Sequence, residues 1–219
     1  APRGQVRAEV ASGDALIAAK VTGDAGTREI TFTNAASVNP AIFAGYLTTN
    51  AQRWLADFES LRTPSVEGSG RFILPSWTSR PTNWQADVLP SLEMQGTLTA
   101  PSSSFRGVEV SSAVIPFSLT NQVWQLTDLK LERPEGGLQL SARADEVTGD
   151  FVVDWLSSVN PTVLRTALSN EVARSVLGEL EITNLPPRIE AQVRGNWRDL
   201  AQLHGTATIL ATNFSYRGV

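Results

Sequence analysis

The stretch LKLERPEGGLQLSAR (Leu129–Arg143) places an apolar residue at alternate positions on both sides of a Pro-Glu-Gly-Gly turn, and no other feature constrains the fold as much. A period of two gives a strand one apolar and one polar face, and a short Gly-containing turn between two such runs makes them antiparallel neighbours. The same alternation recurs at Val6/Ala8/Val10, Phe151/Val153/Trp155, Ile189/Ala191/Val193 and Ala207/Ile209/Ala211. Turn signals stand at Ser12-Gly13-Asp14, Thr22-Gly23-Asp24, Pro134–Gly137 and Thr148-Gly149-Asp150. The expectation is a mainly β, β-rich α+β chain: a long antiparallel meander whose strands are apolar on one side.

The chain also repeats itself. SVNP occurs at Ser37–Pro40 and again at Ser158–Pro161, each time opening a segment of helical periodicity. Upstream, VRAEVASGDALIAAK (Val6–Lys20) matches LKLERPEGGLQLSAR in pattern. Downstream, VEGSGRF (Val66–Phe72) lies over IEAQVRGNW (Ile189–Trp197), and GTLTAPSSSFRGV (Gly96–Val108) over GTATILATNFSYRGV (Gly205–Val219). One continuous elongated domain is expected, with copy one at about 6–128 and copy two at about 129–219. Residues 74–90, LPSWTSRPTNWQADVLP, form a Pro- and Trp-rich loop insertion present only in copy one. The chain begins and ends inside its own pattern, so the expectation is an interior piece with unpaired sheet edges at both ends.

Two short amphipathic helices are expected, at about 40–57 and 161–177. Asn160 can cap the second and Pro161 suits its first position; Val163, Leu164, Ala167, Leu168, Val172 and Val176 fall on one stripe before Gly178. Asn39 and Pro40 open the first in the same way, ahead of Ile42, Phe43, Tyr46, Leu47, Trp54, Leu55 and Phe58. The stripes read as packing faces, since Arg53, Arg165 and Arg174 are too few for a helix lying on a membrane. Two such helices cannot cover a dozen strands, so part of the apolar face must meet itself or a ligand. If the sheet curls into a U, the apolar residues line a trough in which acyl chains gain about 0.8 kcal/mol per buried methylene.

Signals for chemistry are absent. With 0 Cys and 1 His there is no disulfide framework or Cys-based metal site, and His204 lies in an alternating stretch without a nucleophile elbow to serve. Glu132 with Glu135, or Asp145 with Asp150, would be the only glycosidase-like pairs, and they sit beside turns on a solvated surface. Gly68–Gly70 and Gly136–Gly137 lack the Lys and helix start of a phosphate cradle. A net charge of −4 with Lys and Arg scattered singly argues against nucleic acid as a partner. No cofactor is expected, and no apolar run is long enough to span a membrane.

The helix opening (S)-x-x-(N/D)-P, the strand G-T-(x)n-F-x-(F/Y)-R-G-V and the run VWQLTDLKLERPEGGLQL (Val123–Leu140) together resemble the AsmA-like superfamily of bacterial envelope proteins. The resemblance covers essentially the whole chain and rests on structural repeats, not on a catalytic signature. It implies a repeat sheet curled into a U-shaped, taco-like apolar groove, an inner-membrane anchor in the full-length protein, a periplasmic location, and a role in phospholipid transport or outer-membrane biogenesis. The anchor and the C-terminal region of full members are not in this sequence.

The reading that follows is a non-enzymatic segment guiding phospholipid, or another acyl-chain lipid, along an apolar β-groove, with flanking repeats of the same longer chain as further partners. Candidate groove residues are Leu129, Leu131, Leu138, Leu140, Phe151, Val153, Ile189, Val193 and Ile209. The alternative is a repeat-built binding or adhesive module, with Trp77 and Trp84 forming a glycan platform. A glycan-active β-solenoid is disfavoured because solenoid coils repeat every 20 to 50 residues or so, far below the spacing of the SVNP copies.

Overall fold

A computed structural model of the chain describes residues 2–12, 15–37, 52–53, 56–60, 62–76, 83–166, 171–182, 186–212 and 214–216. The first half of the chain contributes β1 (Arg3–Ser12), β2 (Ala15–Asp24), β3 (Glu29–Ser37), β4 (Phe58–Ser60), β5 (Ser65–Ile73), β6 (Glu93–Phe105) and β7 (Val108–Thr120). The second half contributes β8 (Val123–Arg133), β9 (Gly136–Asp145), β10 (Asp150–Ser157), β11 (Leu180–Ile182), β12 (Arg188–Asn196), β13 (Asp199–Leu210) and β14 (Phe214–Tyr216). Twelve strands form one antiparallel sheet ordered β1-β2-β3-β5-β6-β7-β8-β9-β10-β12-β13, with β4 added to the far end of β6, while β11 and β14 pair separately.

The turns explain the meander. Phe105 pairs with Val108 and Thr120 with Val123, leaving two-residue loops at Arg106–Gly107 (φ 50° and 76°) and Asn121–Gln122 (φ 52° and 62°). Left-handed backbone at both positions is the I′ geometry, whose twist matches that of the strands it joins. The phrase SFRGV is therefore a hairpin corner. Thr22, Gly23 and Asp24, expected as a turn, instead end β2, and the chain reverses at residues 25–28. Asp24 Oδ1 accepts the N–H groups of Gly26 (2.8 Å) and Thr27 (3.2 Å) there. Asp145 Oδ1 does the same for Val147 (2.9 Å) and Thr148 (3.0 Å) after β9. Such local carboxylate bonds stabilise the turn, and after β9 Gly149 at φ 86° completes it by donating to the Asp145 carbonyl at 2.8 Å.

The two longer excursions leave the sheet at equivalent places. β3 pairs with β5 across residues 38–64, and β10 pairs with β12 across 158–187. Each excursion ends in a short strand that meets one of the two related phrases: Phe58 is in register with Phe105, and Leu180 with Tyr216. The expected helix over 40–57 lies outside the described residues apart from helical turns at 52–53 and 56. Of the one expected over 161–177, Pro161–Thr166 is a 3-10 segment and Glu171–Gly178 is an α-helix, so the two ends are not α-helical alike. Asn160 does cap it, accepting the N–H of Thr162 at 3.0 Å, but Thr162, Val163 and Thr166 are β-branched and weak α-formers. A short helix, α1 (Trp84–Asp87), lies in the insertion.

The sheet is neither curled nor closed, which corrects the expected U-shaped groove. Curvature of that degree needs bulges repeated at matching positions along the sheet. Register runs unshifted from β1 through β7 and shifts only in the β7–β8, β8–β9 and β12–β13 ladders. Strands meet no other strands than their ladder neighbours, and no second layer of sheet stands against them among the described residues. The surface is accordingly large: 14353 Å² for 23.6 kDa, against roughly 9,800 Å² for a compact chain of that mass.

Candidate functional site

Register decides which side chains share a face, because directly paired residues point the same way. One row runs Val6–Val21–Phe32–Gly70–Met94–Leu119–Trp124–Ala144–Phe151–Gly195, crossing ten strands. The next runs Ala19–Asn34–Gly68–Gly96–Phe117–Leu126–Ala142–Val153–Val193–Gly205. A third carries Leu129–Leu140–Trp155–Ala191–Ala207, and a fourth Leu131–Leu138–Ser157–Ile189–Ile209. At about 4.8 Å between strands, the first two rows are each roughly 43 Å long. Asn34 is the only side chain in those two rows able to form hydrogen bonds with more than weak strength, apart from the indole of Trp124, whose Nε1 donates to Glu146 at 3.1 Å.

All nine candidate groove residues lie on this face. Leu129, Leu131, Leu138, Leu140, Phe151, Val153, Ile189 and Val193 are half-buried, and Ile209 is 62% exposed. A bulge in β8 makes the alignment possible. Leu126 pairs with Ala142 and Leu129 with Leu140, so Thr127 and Asp128, the latter at φ 55°, add a residue and reverse the parity. Trp124, Leu126, Leu129 and Leu131 thereby share one face although their numbers change from even to odd.

The face reaches well beyond those nine. Val21, Ile30, Phe32, Phe72, Met94, Leu98, Phe117 and Leu119 extend it through β2, β3 and β5–β7, and alternation in EITFTNAA and VIPFSL marks part of it. Glycines hide the rest, since Gly68, Gly70 and Gly96 interrupt the apolar pattern. Rings cover two of them: a Cβ on Gly70 would come 2.5 Å from Phe32 Cζ, and one on Gly96 2.8 Å from Phe117 Cζ. Phe32 and Phe72 also meet at 6.4 Å in a tilted pair, and Phe151 stacks on Trp197 at 6.5 Å.

Cover over the face is sparse. Leu119 is fully buried between Met94 and Trp124, and the other buried apolar side chains among the described residues are small: Val88, Ala100, Val108, Ala113, Val159 and Ala191. At one margin, Ser91 Oγ accepts the N–H of Ile73 at 2.9 Å and pins the segment after α1 to the end of β5. At the other, the 3-10 segment approaches β7, with Thr166 Oγ1 near Gly107. Trp77 lies outside the described residues, and of Trp84 only the backbone is described, in α1.

The opposite face is polar. Arg71 makes a bidentate pair with Glu93 (2.9 and 3.0 Å) and a longer contact with Glu29 (3.6 Å). The hydrogen bond from Arg71 holds the Glu93 carboxyl below its ordinary range, and Glu93 raises the Arg71 guanidinium in turn. The carboxylates that could be imagined as acid pairs are engaged elsewhere. Glu135 accepts Arg133 Nε at 2.6 Å, Asp150 accepts Asn196 Nδ2 at 2.8 Å, and Asp145 is lowered chiefly by the N–H of Thr148. His204 is exposed on β13, opposite Arg194. Shallow hollows occur on this face, one of about 510 Å³ among Ser141, Asp154, Gln192 and Thr206. Among the described residues no group of three or more His, Asp or Glu side chains is placed to hold a metal ion, and no helix is long and apolar enough to cross a membrane.

No protein-family model, curated protein or solved structure matches the chain.

Proposed function

We propose that the chain is a non-enzymatic segment of an AsmA-like, envelope-spanning protein that carries acyl-chain lipid along the apolar face of its sheet. The observation that carries this reading is the uncovered face itself. Domains normally bury an apolar sheet face against a second layer, and soluble monomers rarely expose apolar patches beyond a few hundred Å². Here rows roughly 43 Å long lie half-buried and without a second layer among the described residues.

Acyl chains suit such a surface because they demand no directional contacts. Each buried methylene contributes about 0.8 kcal/mol, so a chain lying across three or four strands gains several kcal/mol from shape alone. The correction to the expected curl changes the geometry of the proposal: lipid lies on an open face, flanked by the insertion at one margin and the 3-10 segment at the other. A periplasmic setting and delivery toward the outer membrane follow from the family resemblance.

Native mass spectrometry of the purified chain, with lipid extraction and identification, is the test. Co-purifying phospholipid that is lost in Val153→Asp, with the circular dichroism of the parent retained, is the expected result. A lipid-free chain whose apolar face is closed by a second copy in solution would sink the reading.

A further inference from the structure

The polar face holds a row that no part of the lipid reading uses. Arg143, Val152, Arg194 and His204 stand in register across β9, β10, β12 and β13. Arg143 and Arg194 are two strand spacings apart, roughly 10 Å between backbones, and the short side chain of Val152 lies between them. The result is a hollow of about 450 Å³ lined by both arginines, His204, Val152, Gln202 and Asp150.

No hydrogen bond or ion pair engages the guanidinium of Arg143 or Arg194, or the imidazole of His204, among the described residues. Arg71, on the same face, is by contrast held by Glu93 and Glu29. Nearby acids are committed. Asp150 accepts Asn196 Nδ2 at 2.8 Å, Asp154 accepts Gln192 Nε2 at 2.6 Å, and Asp145 caps its turn while Arg143 helps to keep it ionised. Two guanidiniums therefore face one carboxylate at the hollow, with an imidazole beside them. Arg143 and Arg194, on the same face with only Val152 between them, leave room for an anion, and the planar guanidinium fork matches the oxygens of a phosphate group.

We propose that this hollow is an anion site for a phosphate monoester or inorganic phosphate, clamped between Arg143 and Arg194 with His204 as a third donor. The site is on the face opposite the apolar rows and does not rest on the lipid reading. Its ligand is either the phosphate of a lipid headgroup or a small soluble phosphate.

His204 is the only histidine, so its imidazole signals in a proton–carbon NMR spectrum report on this hollow alone. Inorganic phosphate is titrated into the intact chain at constant ionic strength, with chloride as the reference. The expected result is a saturable shift with phosphate and none with chloride. Arg143→Gln and Arg194→Gln each weaken binding about tenfold, the loss of one charge-assisted contact, whereas Arg7→Gln at the far end of the same face leaves it unchanged. Arg194→Lys, which keeps the charge and loses the fork, gives an intermediate affinity and serves if a glutamine variant fails to fold. In a second arm with dihexanoyl phosphatidic acid below its micellar concentration, tighter binding than inorganic phosphate assigns the site to a headgroup, and equal or weaker binding to a soluble phosphate. A shift that is linear and shared with chloride, or wild-type affinity in the double glutamine variant, overturns the proposal.

Discussion

Leu119 and Ile209 occupy the same apolar face and belong to strands of the same alternating pattern, yet one is 0% exposed and the other 62%. Part of the difference is lateral. Leu119 on β7 has strands on both sides, with Met94 and Trp124 in register against it. Ile209 on β13 has only Ile189 on one side, because β13 ends the ladder. Flanking strands alone leave Phe117 and Val153 half-buried, so Leu119 marks the best-covered point of the face, and burial thins from there to the β13 edge. Every residue from Ala201 to Leu210 is exposed.

The sharpest way to break that contrast is to empty the centre. Leu119→Ala removes a fully buried side chain whose surroundings are held by hydrogen-bonded strands, and about 2–5 kcal/mol of stability goes with it. Urea denaturation followed by tryptophan fluorescence reads this directly, since Trp124 lies beside the cavity. A cost below 1 kcal/mol or so would mean that the central strands are no better packed than the edge.

Next in size is Gly96→Ala. The added Cβ meets Phe117 Cζ at 2.8 Å and the backbone of Gly68 at 3.1 Å. A ring can swing aside but a neighbouring strand cannot, so overpacking costs about 1–3 kcal/mol. The same substitution at Gly205, next to the edge, finds Val193 Cγ2 at 3.6 Å and ordinary contact. It is expected to be neutral or slightly stabilising in the same denaturation experiment, and equal costs at the two glycines would remove the distinction between centre and edge.

The two Asp-capped turns give a smaller effect, and one with a sign. Asp145 is lowered first by the N–H of Thr148, and Asp24 first by that of Thr27 and then by Arg3 across the β1–β2 ladder. A carboxyl depressed by folding stabilises the chain above its unfolded value, near 4, and that contribution fades as the pH falls through the lower folded value. Acid should therefore loosen both turns below about pH 4. Salt screens both the direct Arg3–Asp24 pair and the through-space pull of Arg143 on Asp145, but not the turn N–H bonds, so the directly paired Asp24 should show the larger rise in titration midpoint on added salt. Amide shifts of Thr27 and Thr148 against pH, at low and high salt, measure both; identical salt responses would show that the direct Arg3 contact adds nothing beyond what Arg143 gives Asp145.

Alternation was legible wherever side chains carried it, and it placed all nine groove candidates on one face. It failed where another device replaced a side chain. Gly68, Gly70 and Gly96 interrupt the alternation although Phe32 and Phe117 cover the last two. Asn121–Gln122 makes a two-residue turn without the glycine that usually announces one. Thr22-Gly23-Asp24 was misplaced because the capping oxygen of Asp24, not the flexibility of Gly23, sets the reversal. Curl was not legible because it depends on register shifts accumulated over many ladders, and periodicity within one strand contains no information on them. Nor was the row of Arg143, Arg194 and His204, which only cross-strand register brings together.

Ile209→Ser carries the smallest effect on folding and separates stability from function. An exposed edge side chain loses little on truncation, so the change stays within about 0.5 kcal/mol. Yet Ile209 continues the row of Leu131, Leu138 and Ile189, and lipid lying along that row would meet it. If the face carries acyl chains, Ile209→Ser lowers the lipid recovered by extraction while the denaturation midpoint holds. If the face instead carries no lipid, both quantities stay where they were, because a side chain already in water has no cover to lose. Measured beside Leu119→Ala, the substitution shows whether the edge that contributes least to the fold contributes to the cargo.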